Sequence, residues 1–135
     1  MKVFLDTNVL TSALATRGLC HELFITVISE HQLITSNDVL IELERILKRK
    51  IKLPGKIIDN FVLLISEEAI IVSSKYELND IPDPDDAPII AAAIEAYAAY
   101  FVTGDKELLK LKQVNKLPII SPRNFWNALV QEATN

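Results

Sequence analysis

The sequence contains few of the residues that build disulfides and the commonest zinc sites. Its 135 residues include one cysteine, Cys20, and two histidines, His21 and His31. A single cysteine excludes an internal disulfide and has no partner at zinc-ligand spacing, so we expect a reducing, cytoplasmic setting. Two histidines alone make a histidine-based metal site a poor explanation for whatever chemistry the protein performs.

Long apolar runs are also missing. The N-terminal run stops at Asp6, so we expect no signal peptide. The apolar region 87–102 contains Glu95 and is shorter than the ~20 residues that a membrane span needs. With only three glycines and half of its residues apolar, the chain is expected to fold as one soluble domain over residues 1–135.

Charge is distributed unevenly around a formal net charge of −4. One segment, residues 77–86, contains five acids and no base: Glu77, Asp80, Asp83, Asp85 and Asp86. The segment "KRKIKLPGK" contains five bases: Lys48, Arg49, Lys50, Lys52 and Lys56. This pattern favours a metal ion near the acids and an anionic polymer near the bases, although solvated surface charge is an equal explanation for the basic run.

Short apolar strands alternate with helical segments along the chain. The predicted strands are "KVFL", "QLITS", "AIIVSS", "YFVT" and "LPIIS", and amphipathic helical spacing fills the intervals. Asn37 or Asp38 is the predicted cap of the helix after "QLITS". The alternation predicts an α/β fold, a three-layer α/β/α sandwich with a central parallel sheet of about five strands.

Four acids are expected at one edge of this sheet, where ligands of such folds bind. Asp6 and Asp105 each follow the end of a strand, and Asp86 begins the helix that precedes the fourth strand. Glu42 lies on the flank of an apolar helix stripe, half turned toward the core.

Each acid also has a purely structural explanation. Asp6, Asp85 or Asp86, and Asp105 could cap the helices that follow them, and Glu42 could pair with Arg45 or Arg49. Four separate accidents at one edge are a weaker explanation than one divalent cation that neutralises the cluster. Oxygen ligands without cysteine or histidine suit Mg²⁺ or Mn²⁺, which promote phosphodiester hydrolysis without a histidine base.

Four segments, taken in order, resemble the PIN domain (PilT N-terminus) family. They are "FLDTNVL", "TSNDVLIELE", "DPDDAPIIAAA" and "YFVTGD", and the resemblance extends from residue 3 to about residue 126. Among the branches, the chain is most similar to the small prokaryotic type that includes VapC-like toxins. The resemblance implies an α/β/α nuclease that cleaves single-stranded RNA with Mg²⁺ or Mn²⁺.

By motif match, the resemblance assigns an acidic quartet consisting of Asp6, Glu42, Asp86 and Asp105. It implies Asp6 and Asp86 as direct metal ligands, Asp105 as a ligand of the ion or of its water, and Glu42 as support or as ligand of a second ion. Asn8 and Thr103 match polar supporting positions. Asp85 remains an alternative to Asp86, because several acids crowd that loop.

These observations together favour a metal-dependent endoribonuclease, the toxin of a type II toxin–antitoxin pair, acting as a homodimer on RNA with an antitoxin protein as partner. Two alternatives stay open: a non-catalytic RNA- or protein-binding module of the same fold, and an RNA-processing or decay nuclease outside any toxin system. A haloacid-dehalogenase-type phosphatase needs a second aspartate where Asn8 stands. A receiver domain needs an aspartate after the third strand, and "AIIVSS" supplies none.

Overall fold

The computed structural model describes residues 1–74 and 77–134, which form a central, mostly parallel sheet flanked by helices. The strands are β1 (Lys2–Leu5), β2 (Gln32–Ser36), β3 (Ile70–Val72), β4 (Tyr100–Val102), β5 (Gln113–Val114) and β6 (Leu117–Ile120). The helices are α1 (Thr7–Ala15), α2 (Leu19–Glu30), α3 (Asn37–Ile46), α4 (Gly55–Glu68), α5 (Ala87–Glu95), α6 (Lys106–Leu109) and α7 (Pro122–Thr134). The predicted α/β/α architecture is confirmed.

The order of the strands places β1 and β4 side by side at the centre of the sheet. The order is β3-β2-β1-β4-β6-β5, and the first five of these strands run parallel. From β1 the chain builds outward through β2 to β3 and then crosses to the other side of β1 to form β4. The carboxyl ends of β1 and β4 therefore border the point where the strand order reverses, which is where open α/β sheets bind ligands.

The two central strands are apolar along their length because helices cover both faces of the sheet. Val3, Phe4 and Leu5 of β1 are fully buried, as are Phe101 and Val102 of β4. The rings of Phe4 and Phe101 stack with centroids 5.2 Å apart. This packing fixes the register of β1 against β4, and with it the relative positions of the residues that follow each strand.

Helix α3 begins at a residue that sequence reasoning did not choose. The prediction of Asn37 or Asp38 as its cap is wrong, because the Ser36 side chain accepts a hydrogen bond from the Val39 amide at 3.2 Å. Ser36 is the last residue of β2, so one residue ends the strand and caps the helix. At its other end α3 continues into a π-helical turn over Leu47–Ile51, which stops at Lys52 in the left-handed conformation.

Two details of the sheet also differ from the prediction. Strand β3 covers only Ile70–Val72, and β5 is an additional two-residue strand that pairs antiparallel with β6. Between β5 and β6, Asn115 and Lys116 have positive φ angles of 48° and 72°, the backbone of a tight hairpin turn. A strand of two or three residues has too short an apolar pattern for its first and last residues to be located from the sequence.

No helix within the two described ranges has the length and apolar character that crossing a lipid bilayer would require.

Candidate active site

Asp6 is the most buried acid of the site and sits directly after β1. Its side chain is 6% exposed, and it caps α1 by accepting a hydrogen bond from the Thr7 amide at 2.8 Å. The other carboxylate oxygen accepts the Thr103 hydroxyl at 2.8 Å and the Asn8 side-chain amide at 3.1 Å. Burial raises the pKa of Asp6, and the hydrogen bonds from Thr103 and Thr7 partly oppose that rise. The helix-capping explanation is therefore correct for Asp6, but it accounts for only one of the two oxygens.

A polar clamp made of Asn8, Thr103 and Gly104 joins the start of α1 to the loop after β4. The buried Thr103 hydroxyl accepts the Asp105 amide at 3.0 Å and the Asn8 side-chain amide at 3.2 Å. The Asn8 side-chain oxygen in turn accepts the Gly104 amide at 2.9 Å. The two bonds of Asn8 join the start of α1 to the loop after β4, and the bond from the Asp105 amide to Thr103 fixes the turn that carries Asp105. The clamp therefore holds Asp6 and Asp105 at the ends of neighbouring strands.

Asp105 caps the short helix α6 by accepting the Glu107 amide at 2.9 Å. This bond uses one carboxylate oxygen of a half-buried side chain. Burial is the main cause of the raised pKa of both Asp6 and Asp86, and the negative charge of Asp105 adds to each rise.

Asp86 ends a 3-10 turn, Pro84–Asp86, immediately before α5 and is half-buried. Burial raises its pKa to about 7, with further contributions from the charges of Asp6, Asp83, Asp105 and Glu42. Asp85, the alternative to Asp86, is exposed to solvent. Asp86 is thus the member of the acidic loop that the fold brings toward the other acids of the predicted quartet.

Glu42 approaches the same site from α3. It is half-buried, and its charge contributes to the raised pKa values of Asp6 and Asp86. The alternative explanation of Glu42, an ion pair with Arg45 or Arg49, is not seen in residues 1–74 and 77–134, where the ion pairs are Lys48–Glu44 and Lys110–Glu107. Asp6, Glu42 and Asp105 therefore lie near enough to Asp86 for their charges to raise its pKa further.

The donor set fits a hard divalent cation. Its members are carboxylates. Burial, with a further contribution from the neighbouring negative charges, makes the charged forms of Asp6 and Asp86 costly, and no described basic side chain forms an ion pair with them. Within the described part of the chain, however, no three acid, histidine or cysteine side chains are already arranged as a set of metal ligands. Mg²⁺ and Mn²⁺ suit such a site, because Mg²⁺ keeps several waters and needs only one or two carboxylates from the protein.

Sequence reasoning overlooked two contributors to the site. Asp83 adds to the negative field on Asp86 and also caps the 3-10 turn by accepting the Asp85 amide at 2.9 Å. The Gly104 amide completes the clamp, and a β-carbon built at Gly104 would lie 3.4 Å from the Asn8 side-chain oxygen. The segment "PDPDD" signals the capping role of Asp83, whereas a backbone contact such as that of Gly104 leaves no pattern in the sequence.

The comparisons with known proteins agree with this arrangement. The model of the PIN domain family matches residues 2–107, a range that includes the whole predicted quartet. Twelve chains of solved structures match the fold significantly, and no curated protein sequence matches the chain at that level. One of the structures is VapBC2 from Rickettsia felis bound to a DNA fragment from its promoter, with a TM-score of 0.62 and 18% sequence identity over 90% of this chain and 98% of that chain. The likeness to that structure concerns the fold. Since the family model covers well over half of the residues, the chain belongs to the PIN domain family, a family of nucleases.

Proposed function

We propose that the protein is an endoribonuclease that depends on Mg²⁺ or Mn²⁺ and hydrolyses phosphodiester bonds of RNA. The main support is the pKa of Asp86, which burial and three neighbouring carboxylates of the quartet raise to about 7. Carboxyl groups such as Asp6 and Asp86, whose charged forms are costly in the absence of a cation, are expected where a cation belongs, because active sites concentrate such perturbed groups. Family membership supports the nuclease activity, and the choice of RNA and metal is our proposal.

Each carboxylate of the quartet has a proposed role in metal binding that follows from its position. Asp6 and Asp86 would hold the ion, Asp105 would bind it or its water, and Glu42 would support them or bind a second ion. A bound Mg²⁺ or Mn²⁺ would supply an activated water and offset the charge on the leaving oxygen. The Thr103 hydroxyl and the Asn8 amide keep one Asp6 oxygen in a fixed orientation, so the carboxylate need not reorganise when the ion arrives.

We further propose that the protein is the toxin of a type II toxin–antitoxin pair, cytoplasmic and homodimeric. The support is the fold shared with a chain of the VapBC2 complex over nearly the full length of both. A nuclease of RNA processing or decay would use the same site, and an antitoxin partner distinguishes the two. Growth arrest on expression of the protein, relieved by co-expression of a neighbouring small gene, would support the toxin role.

The direct test is cleavage of a mixed pool of tRNA, rRNA and mRNA with Mn²⁺ or with EDTA, followed by mapping of the cleaved ends. Wild type should cut only with the metal, and Asp86→Asn should abolish cutting. Glu95→Gln is the matched control, since it removes one negative charge from the exposed far end of the same helix α5. Cleavage by Asp86→Asn at the wild-type rate, or wild-type cleavage in EDTA, would contradict the proposal. RNA binding without any cutting would identify the non-catalytic module instead.

A further inference from the structure

We propose that Arg45, with Arg49 behind it, forms the path along which the sugar–phosphate backbone of the RNA strand reaches the carboxylate site. This inference rests on the proposed ribonuclease function and names the residues that would position its substrate. Arg45 and Arg49 together are called the arginine track below.

The track starts beside the candidate active site. A groove of about 340 Å³ lies between α3 and the start of α5, and both Glu42 and Arg45 line it. Glu42 belongs to the carboxylate quartet, and Arg45 follows it by one helical turn on α3. A phosphate bound by Arg45 would therefore lie in the same groove as Glu42, the member of the quartet that lines it.

Within the described ranges, neither arginine has an acidic partner that would compete with a phosphate group. Both are exposed, and neither forms an ion pair within the described ranges, even though acids line the same groove as Arg45. Lys48 differs from them, because it donates to Glu44 at 3.0 Å on another face of the helix. Within the described ranges, Lys48 is thus paired with an acid, whereas Arg45 and Arg49 are not.

Helical spacing continues the track away from the site. Arg49 follows Arg45 by four residues and lies in the π-helical turn that extends α3. Four residues is about one turn, so both guanidinium groups project from similar sides of the helix. Planar guanidinium groups bind phosphate oxygens bidentately, which suits a row of phosphates better than a single small anion.

The groove is lined by apolar side chains and by three acids, Asp38, Glu42 and Asp85, as well as by Arg45. Ile41, one turn before Arg45, is 68% exposed, and Pro84 and Pro88 form the opposite side. A large exposed isoleucine beside a free arginine matches a nucleotide, which has an apolar base and ribose beside a charged phosphate. A simple counter-ion would use the arginine and leave the apolar wall without a partner.

The experiment measures binding of a fluorescein-labelled single-stranded RNA oligonucleotide of mixed sequence by fluorescence anisotropy, in EDTA and over a range of NaCl concentrations. We expect Arg45→Gln to raise Kd roughly tenfold, the effect of losing one charge-assisted hydrogen bond. The slope of log Kd against log salt should fall by about 0.7 for the lost phosphate contact. Arg49→Gln should act in the same direction, and Arg45→Lys should restore the slope.

Lys48→Gln is the matched control, because it removes a cation from the same helix that is paired with Glu44. Its Kd should stay near that of wild type, and thermal unfolding should show that all variants are folded. In Mn²⁺, Arg45→Gln should raise KM and leave kcat close to wild type, the signature of lost substrate binding rather than of a damaged site.

The outcomes separate this inference from the proposed function. If wild type binds RNA through Arg45 but never cuts it, the ribonuclease proposal fails and the track stands. Equal binding by wild type and Arg45→Gln, equal losses in Arg45→Gln and Lys48→Gln, or no salt-dependent binding by wild type would each overturn the track.

Discussion

At the scale of single residues, two buried threonines near the carboxyl ends of β2 and β4, the strands on either side of β1, show how selectively the fold satisfies polar groups. Thr103, after β4, has a hydroxyl that donates to Asp6 and accepts from Asn8 and Asp105. Thr35, in β2, is equally buried, and its hydroxyl has no hydrogen-bond partner among the described residues. The hydroxyl of Thr103 is therefore expected to contribute to stability and that of Thr35 is not.

Replacing each threonine by valine, which has the same shape, tests this contrast. Thr103→Val should lower the free energy of unfolding by about 1–3 kcal/mol, because buried polar partners lose their hydrogen bonds. Thr35→Val should be neutral or stabilising, because it removes a desolvated hydroxyl. Urea denaturation measures both, and equal losses in the two variants would contradict the role assigned to the clamp. Thr103→Val should also slow RNA cleavage, since Asp6 and Asp105 lose a shared anchor.

The raised pKa of Asp86 predicts how the stability of the metal-free protein depends on pH. The carboxyl titrates at about 7 in the folded protein, against an ordinary value of 3.8. The folded state therefore binds a proton that the unfolded chain releases, so this contribution to stability is complete below about pH 4 and is lost as the pH rises to about 7. Burial shifts the pKa of Asp6 in the same direction, which adds to the trend.

Asp86→Asn isolates the effect, because the amide is uncharged at every pH. In EDTA its melting temperature should exceed that of wild type at pH 8, and the difference should shrink toward about pH 4, where Asp86 of wild type is itself protonated. Glu95→Gln, at the exposed end of α5, should show no such pH-dependent difference. A constant difference between Asp86→Asn and wild type across the range would contradict the assigned cause.

At the scale of secondary-structure elements, the caps decide where the helices that bear the site begin. Three residues accept an amide of the helix that follows them: Ser36, which ends β2, Asp6, which follows β1, and Asp105, in the loop after β4. Two of these caps, Asp6 and Asp105, are also predicted site residues. One position of each side chain is therefore compatible both with helix capping and with a role in the site. Capping uses one carboxylate oxygen of Asp105 and leaves the other for the site.

Ser36 offers a test of how α3 positions Glu42. Ser36→Ala should cost about 1 kcal/mol, because the first turn of α3 loses its cap. Asn37→Ala, at the exposed neighbour that the sequence suggested, should change stability by much less. Thermal denaturation measures the stability loss of each variant. A larger loss in Asn37→Ala than in Ser36→Ala would indicate that Asn37, and not Ser36, caps α3.

The elements that the sequence predicted well are those with long apolar patterns. All five predicted strands exist, since runs such as "KVFL" and "YFVT" are mostly apolar and their valine and phenylalanine side chains are buried between the helices on the two faces of the sheet. Strand β5 and the ends of β3 and α3 were missed because they depend on tertiary contacts and on local backbone geometry at Lys52 and Asn115. The acids could be placed at one edge from topology alone, whereas the strength of their coupling required the burial that only the fold provides.

At the scale of the whole molecule, a cation that binds the carboxylates should stabilise the fold as a unit. Ligand that binds only the folded state adds about 2.7 kcal/mol at a concentration of 100 times Kd. We expect Mn²⁺ to raise the melting temperature of wild type in a single cooperative transition, consistent with one domain over residues 1–135. The shift should be absent in Asp86→Asn and retained in Glu95→Gln. An equal shift in all three proteins would indicate metal binding elsewhere.

The clamp has a further consequence for the timing of activity during synthesis. Asp6 obtains its hydroxyl partner from Thr103, 97 positions later in the chain, and its neighbouring strand from β4. A nascent chain that contains only the N-terminal half therefore has Asp6 but lacks Thr103 and Asp105, and it cannot assemble the site. Under the proposed ribonuclease function, RNA cannot be cut before Asp105 has left the ribosomal exit tunnel, so synthesis of the chain itself delays cleavage.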